Sequence, residues 1–335
     1  MDKISVLEKG IIVGAYTSSP TLYNWNVSLE KEFLENIKNM DKVRGLEIPF
    51  WGESLHPNNT NFFLSMLNHD WEHVITCIPG TMKRLENEPE FGLASINEKN
   101  RKNAIEFVNL ARLSTEKLVK HIDKNCVIAV QLTSSPKTLP ESIKGNADKL
   151  YASLSEICSW DWYGAKIVIE HCDSFTEQNM APQKGFLSLN EEIQVIKSII
   201  KEKNSKIGLT VNWGRSAIEG KNIKTPEEHV KSTYICDVLS GIIFSGVTDN
   251  PESLHGAWKD SHAPPAKDFD ILNYESTSLM TFKNIKNTLN SCNVNNIDYI
   301  GIKLMPLPAE LTISNRIGIN KDAIKLISKA LNEDS

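Results

Sequence analysis

Lys166-Ile-Val-Ile-Glu-His-Cys-Asp173 carries the densest chemistry in the chain. Ile167, Val168 and Ile169 are β-branched neighbours, which suits a strand buried on both faces. Glu170, His171 and Asp173 begin where that run stops. They therefore fall at the carboxyl end of a strand, where α/β barrels and open α/β sheets place ligands and catalytic groups. A carboxylate there suits proton transfer. Lys303, after Asp298-Tyr-Ile-Gly-Ile302, stands at the end of a second such run. An ammonium at that position can stabilise a developing enolate or alkoxide, or, if desolvated, act as a Schiff-base nucleophile. The structural alternative is an ion pair with Glu170 or Glu47.

Two further stretches could act on a small polar molecule. Thr248 to Pro265 packs Asp249, His255, Trp258, Asp260 and His262 into a segment too long for an ordinary connection. His262 suits general acid or base work, because an imidazole titrates near neutral pH. Trp258 and Trp51 could stack on a sugar ring; a solvated loop with turn prolines is the plainer reading. Arg215, in Asn212-Trp-Gly-Arg-Ser, suits a grip on a carboxylate, phosphate or sulfonate, with a salt bridge to Glu219 or Asp249 as the alternative. His69, His73, His121 and His229 read as structural. No glycine-rich phosphate loop accompanies any strand-helix turn, so no nucleotide is expected.

The elements that must position these groups alternate. Strands are expected at 11–16, 44–50, 73–78, 126–133, 166–170, 206–213, 241–247 and 298–305. Helices are expected at about 28–40, from 59, 98–123, 140–158, from 188, 225–239, 277–291 and 320–331. Ser188 with Glu191, and Thr225-Pro-Glu-Glu228, are capping signatures. The loop through Gly80 and Pro89 reads as long. Eight strand-helix units predict a single (β/α)8 TIM barrel spanning 1–335 as one domain. In a barrel the outer strand face is apolar, so Leu46, Ile48 and Phe50 turn Glu47 inward. The same phase turns Gln131, Glu170, Asn212, Ser245 and Lys303 inward. With Tyr16 they predict one ring of polar groups at the strand ends, which a substrate pocket would explain.

The composition fits that reading. With 335 residues, 40% hydrophobic and 24% charged, this is an ordinary globular chain, and a net charge of −5 offers no attraction for nucleic acid or anionic lipid. Met1-Asp-Lys-Ile-Ser5 starts no leader-like apolar run, and nothing approaches a membrane span, so a cytoplasmic location is expected. The six cysteines are scattered singly and read as reduced. A small sugar or sugar acid is the expected partner, and self-association into a homo-oligomer is compatible with the sequence.

Val13-Gly-Ala-Tyr16, Gly45-Leu-Glu-Ile-Pro-Phe50, Ile167-Val-Ile-Glu-His171 and Ile207-Gly-Leu-Thr-Val-Asn212 resemble strand ends of the xylose-isomerase-like barrels, a superfamily of sugar isomerases and epimerases. The resemblance implies carboxylates and a histidine on the last four strands around a divalent metal. Only Glu170 matches such a ligand; Asn212, Ser245 and Lys303 stand at the others. A tightly held metal is therefore not expected, nor any other cofactor. The reading is a carbohydrate isomerase or epimerase working by proton transfer next to a carbonyl. Glu170, Lys303 and His262 are its catalytic candidates. Tyr16, Glu47, Trp51, Gln131, His171, Asn212, Arg215, Ser245, Asp249 and Trp258 are its substrate-binding candidates. A Schiff-base aldolase or lyase through Lys303, a glycoside hydrolase through Glu47 and Glu170, and a non-catalytic sugar-binding barrel remain as alternatives.

Overall fold

A computed structural model describes residues 6–332 of the chain. Met1–Ser5, on which the leader reading rests, lie outside the described residues. The strands are β1 (Ile11–Val13), β2 (Val43–Pro49), β3 (His73–Thr76), β4 (Val127–Leu132), β5 (Lys166–Glu170), β6 (Ile207–Asn212), β7 (Leu239–Phe244) and β8 (Tyr299–Ile302). They close in chain order into a (β/α)8 barrel. The pairing is parallel, with Val13 opposite both Leu46 and Ile302, and Phe244 opposite Ile302. Among the described residues no helix is long and apolar enough to cross a membrane.

By its contacts the chain divides into two compact units. The first runs to Glu47 and includes Asn212–Lys231 and everything from Gly241. The second comprises Ile48–Val211 and Ser232–Ser240. Each has its own apolar interior: Ile12, Val13, Phe33, Ile243 and Ile300 in the first, Val74, Val130, Val168 and Leu209 in the second, all fully buried or nearly so. Burying such a side chain contributes about 1.5–3 kcal/mol, which is why the strand runs are continuous rather than alternating.

Several expected boundaries shift, each for a local reason. β1 stops at Val13, because Gly14 turns the chain into the short helix Ala15–Ser18, so Tyr16 is helical rather than in the strand. β3 stops at Thr76, and the expected long loop through Gly80 is instead the helix Ile78–Leu85. Its Pro79 sits in the first turn, where a missing N–H costs nothing. The helix expected from Pro140 starts at Ala147, capped by Asn146, whose side chain accepts from the Lys149 N–H. Asn26 rather than Ser28 caps Val27–Lys38, and Thr281 delays the helix expected at Thr277 to Phe282–Leu289. Trp213 opens the helix Trp213–Gly220 instead of ending β6. The closing helix begins at Ile313, a full two turns before Asn320. The capping box of Ser188 and Glu191 is formed as read from the sequence.

Candidate functional site

Glu47, Gln131, Glu170, Asn212, Ser245 and Lys303 are all buried, although each is polar or charged. Groups of this kind are costly to bury without partners, and their partners define what each unit can do.

In the first unit, Lys303 follows directly on β8 and is 1% exposed. Its Nζ lies 3.0 Å from Glu47 Oε2 and 5.4 Å from the centroid of the Tyr16 ring. The Lys303 side chain thus lies between a carboxylate on one side and an aromatic face on another. Beside it, at the end of β7, Ser245 Oγ lies 2.7 Å from His262 Nδ1. Asp260 Oδ1 is 3.4 Å from the same nitrogen, and Asp260 Oδ2 accepts from Arg215 Nε at 3.0 Å. Asn212 Oδ1 accepts from the Arg215 backbone N–H at 3.2 Å and so caps the helix Trp213–Gly220. Asp260 is thus a carboxylate partner of Arg215 in addition to the two, Glu219 and Asp249, expected from the sequence.

The remaining candidates of this unit are less constrained. Trp258 is half-buried, with its N–H donating to the Thr248 carbonyl at 2.7 Å, and Asp249 is exposed. His255 is buried, with Nδ1 3.3 Å from both the carbonyl and the hydroxyl of Ser261. Burial pushes its pKa below the ordinary imidazole value, against the opposing pull of Glu275 and the Ser261 carbonyl.

In the second unit, Glu170 ends β5 opposite Thr210, fully buried, and its carbonyl accepts from the Cys172 thiol. His171 is the next residue and takes the opposite phase. Its Nδ1 lies 2.7 Å from Glu192 Oε2, and the Ser134 hydroxyl donates to the other oxygen of that carboxylate. His171 is therefore built into a buried network with Glu192 and Ser134 that includes the helix Leu189–Lys203. The Asp173 carboxylate accepts from the Lys184 N–H and its carbonyl from the Gly185 N–H, so this residue shapes the loop after β5. Gln131 lies opposite Thr76 and Val168, with its carbonyl accepting from the Cys77 N–H, and Trp51 is half-buried just beyond β2.

Glu192 and Ser134 are participants that the sequence reading does not name, and Asp260 is named there but given no role. Glu192 had a signal: it lies three residues after Leu189 and four before Ile196, inside the apolar stripe of its helix. Asp260 had none beyond its place in a loop rich in ionisable groups.

The superfamily's metal does not fit the first unit's contribution. Lys303 brings a cation already paired with Glu47, Asn212 spends its oxygen on a helix cap, and Ser245 is engaged with His262. Divalent ions need several oxygen or imidazole donors and repel an ammonium. The six cysteines are free, as read from the sequence, and burial pushes four of the thiols up: Cys77, Cys126 to about 11, and Cys158 and Cys292 to about 12.

Comparison with known proteins bears on this geometry at two levels. "Uncharacterized protein STM3670" of Salmonella typhimurium is 34% identical over 323 residues, covering 96% of this chain and 97% of that protein. Among solved structures, a putative xylose isomerase from Rhodospirillum rubrum superposes with a TM-score of 0.59 at 7% identity, covering 96% of this chain and 98% of that one. A D-psicose 3-epimerase, solved in the presence of D-fructose, superposes with a TM-score of 0.51 at 11% identity, covering 89% and 91%. At such identities the structural likeness establishes the (β/α)8 barrel fold and nothing finer. A family model described as "Domain of unknown function (DUF4862)" matches residues 12–319, and the chain belongs to that family.

Proposed function

We propose that the protein is a sugar or sugar-acid isomerase or epimerase that moves a proton next to a carbonyl. The observation that carries this reading is the buried Lys303–Glu47 pair at the carboxyl ends of β8 and β2. A fixed ammonium in a dry site stabilises the oxyanion left when a proton departs from the neighbouring carbon, the role a Lewis acid otherwise plays. The structural neighbours named as sugar isomerases and epimerases support the same class. His262 and Glu170 are proposed, each on its own position, as the groups that accept and return the proton. Arg215, Tyr16 and Trp258 are proposed to bind the sugar, with Arg215 suited to an acidic substituent.

The close carboxylate favours this reading over imine chemistry. A Schiff-base lysine must be neutral to attack, whereas Glu47 at 3.0 Å favours the ammonium. The same pair argues against Glu47 as one of two glycosidase carboxylates. The test is incubation of the protein with aldoses, ketoses and sugar acids in deuterated water, followed by NMR. Isomerase or epimerase action places solvent deuterium on the carbon next to the carbonyl. Borohydride trapping of a sugar on Lys303, without such exchange, would support a lyase instead.

A further inference from the structure

His262 is held at several points within the long connection between β7 and the helix Phe282–Leu289. Gly246 and Ala263 exchange two backbone hydrogen bonds of 2.9 Å, and the His262 carbonyl accepts from the Met305 N–H at 2.7 Å, two residues past Lys303. His262 itself adopts the left-handed conformation, with φ 56°. For a residue with a Cβ that conformation is uncommon and is retained where the surroundings fix it, often at functional sites. The held ring meets two groups at one nitrogen, Ser245 Oγ at 2.7 Å and Asp260 Oδ1 at 3.4 Å, both on Nδ1.

The charges decide which tautomer this arrangement favours. Asp260 Oδ2 accepts from Arg215 Nε at 3.0 Å, so the carboxylate lies against a guanidinium that is charged at every relevant pH. An ionised carboxylate only accepts. A lone pair on Nδ1 would face that negative charge, whereas an N–H there is attracted to it, and Ser245 Oγ can accept from it. We propose that Asp260 is a positioning residue which, tied down by Arg215, fixes neutral His262 as the Nδ1–H tautomer. The lone pair then resides on Nε2, which makes that nitrogen the proton-accepting atom. The use of that base in catalysis rests on the isomerase reading above; the tautomer does not.

The experiment is a long-range proton–nitrogen NMR spectrum of full-length protein labelled with 15N-histidine, recorded well above the ordinary imidazole pKa of about 6.5. His262→Gln identifies the signal by its loss. The wild type should show the Nδ1–H pattern. In Asp260→Asn the side-chain amide can donate to Nδ1, so the pattern should switch to Nε2–H. Ser245→Ala keeps Asp260 and should retain Nδ1–H, which keeps the proposal testable if Asp260→Asn does not fold. An Nε2–H pattern in the wild type, an unchanged pattern in folded Asp260→Asn, or its switch in Ser245→Ala would each overturn the proposal. Absence of solvent-deuterium exchange into any sugar would count against the isomerase reading while leaving the tautomer result standing.

Discussion

Gly14, the first residue past β1, lies so close to Lys303 that a Cβ placed on it would stand 3.2 Å from Lys303 Cγ and 3.1 Å from the Ile302 carbonyl oxygen. Val13 is opposite Leu46 on one side and Ile302 on the other, so Gly14 lies in register between Glu47 and Lys303. The missing side chain is what lets the lysine reach across β1 to its carboxylate. Gly14→Ala should therefore displace Lys303. Overpacking of this kind costs about 1–3 kcal/mol, and denaturant unfolding should register it, together with lost turnover. Full stability and full activity in Gly14→Ala would show that the close approach has no such consequence.

The Glu47–Lys303 pair makes a second, purely thermodynamic prediction. Removing one member of a buried ion pair strands the other charge and typically costs about 3–5 kcal/mol, whereas replacing both with apolar groups is often close to neutral. Glu47→Leu and Lys303→Met should each destabilise strongly, and the double variant should recover most of the loss. Additive losses in the double-mutant cycle would mean that the two charges do not depend on each other.

How far the sequence spoke for itself differs between these groups. Glu47 was legible because it alternates with Leu46 and Ile48 in its strand, and Lys303 because it follows an apolar strand run. The partner that Gly14 permits was only one of two carboxylates then in view. His171 was read as a sugar ligand from its place beside Glu170. Adjacent strand residues point to opposite faces, however, and that geometry delivers His171 to Glu192 on the neighbouring helix. Helix starts at Asn26, Asn146 and Thr281 were missed because each cap competes with nearby Ser, Pro or Thr of similar propensity, and only the side-chain bond decides between them.

The His171–Glu192–Ser134 network should be structural. Glu192→Ala leaves a buried imidazole and a buried hydroxyl without their shared acceptor, and each unsatisfied group costs about 1–3 kcal/mol. A large drop in the unfolding midpoint is expected. A drop below about 0.5 kcal/mol, the usual surface value, would contradict the burial described here.

Acid should loosen the loop that carries His262. The pKa of His255 is lowered by burial, so the folded state binds its proton less readily than the unfolded state. Stability from this group is complete above the unfolded imidazole value of about 6.5 and falls as the pH drops from there towards the folded pKa. Hydrogen exchange of amides between Gly246 and Ala266 should accelerate over that interval, and His255→Leu should remove the effect. A pH-independent opening in the wild type would exclude His255 as its cause.

Lys303→Met bears most directly on the central claim, that a buried ammonium stabilises the oxyanion formed beside a departing proton. Loss of such a donor acts mainly on the transition state and costs on the order of a hundredfold or more in rate. With a sugar that the wild type deuterates, Lys303→Met should lose deuterium incorporation by at least that factor while sugar affinity, measured by calorimetry, changes little. Deuterium incorporation at the wild-type rate in folded Lys303→Met would contradict the account.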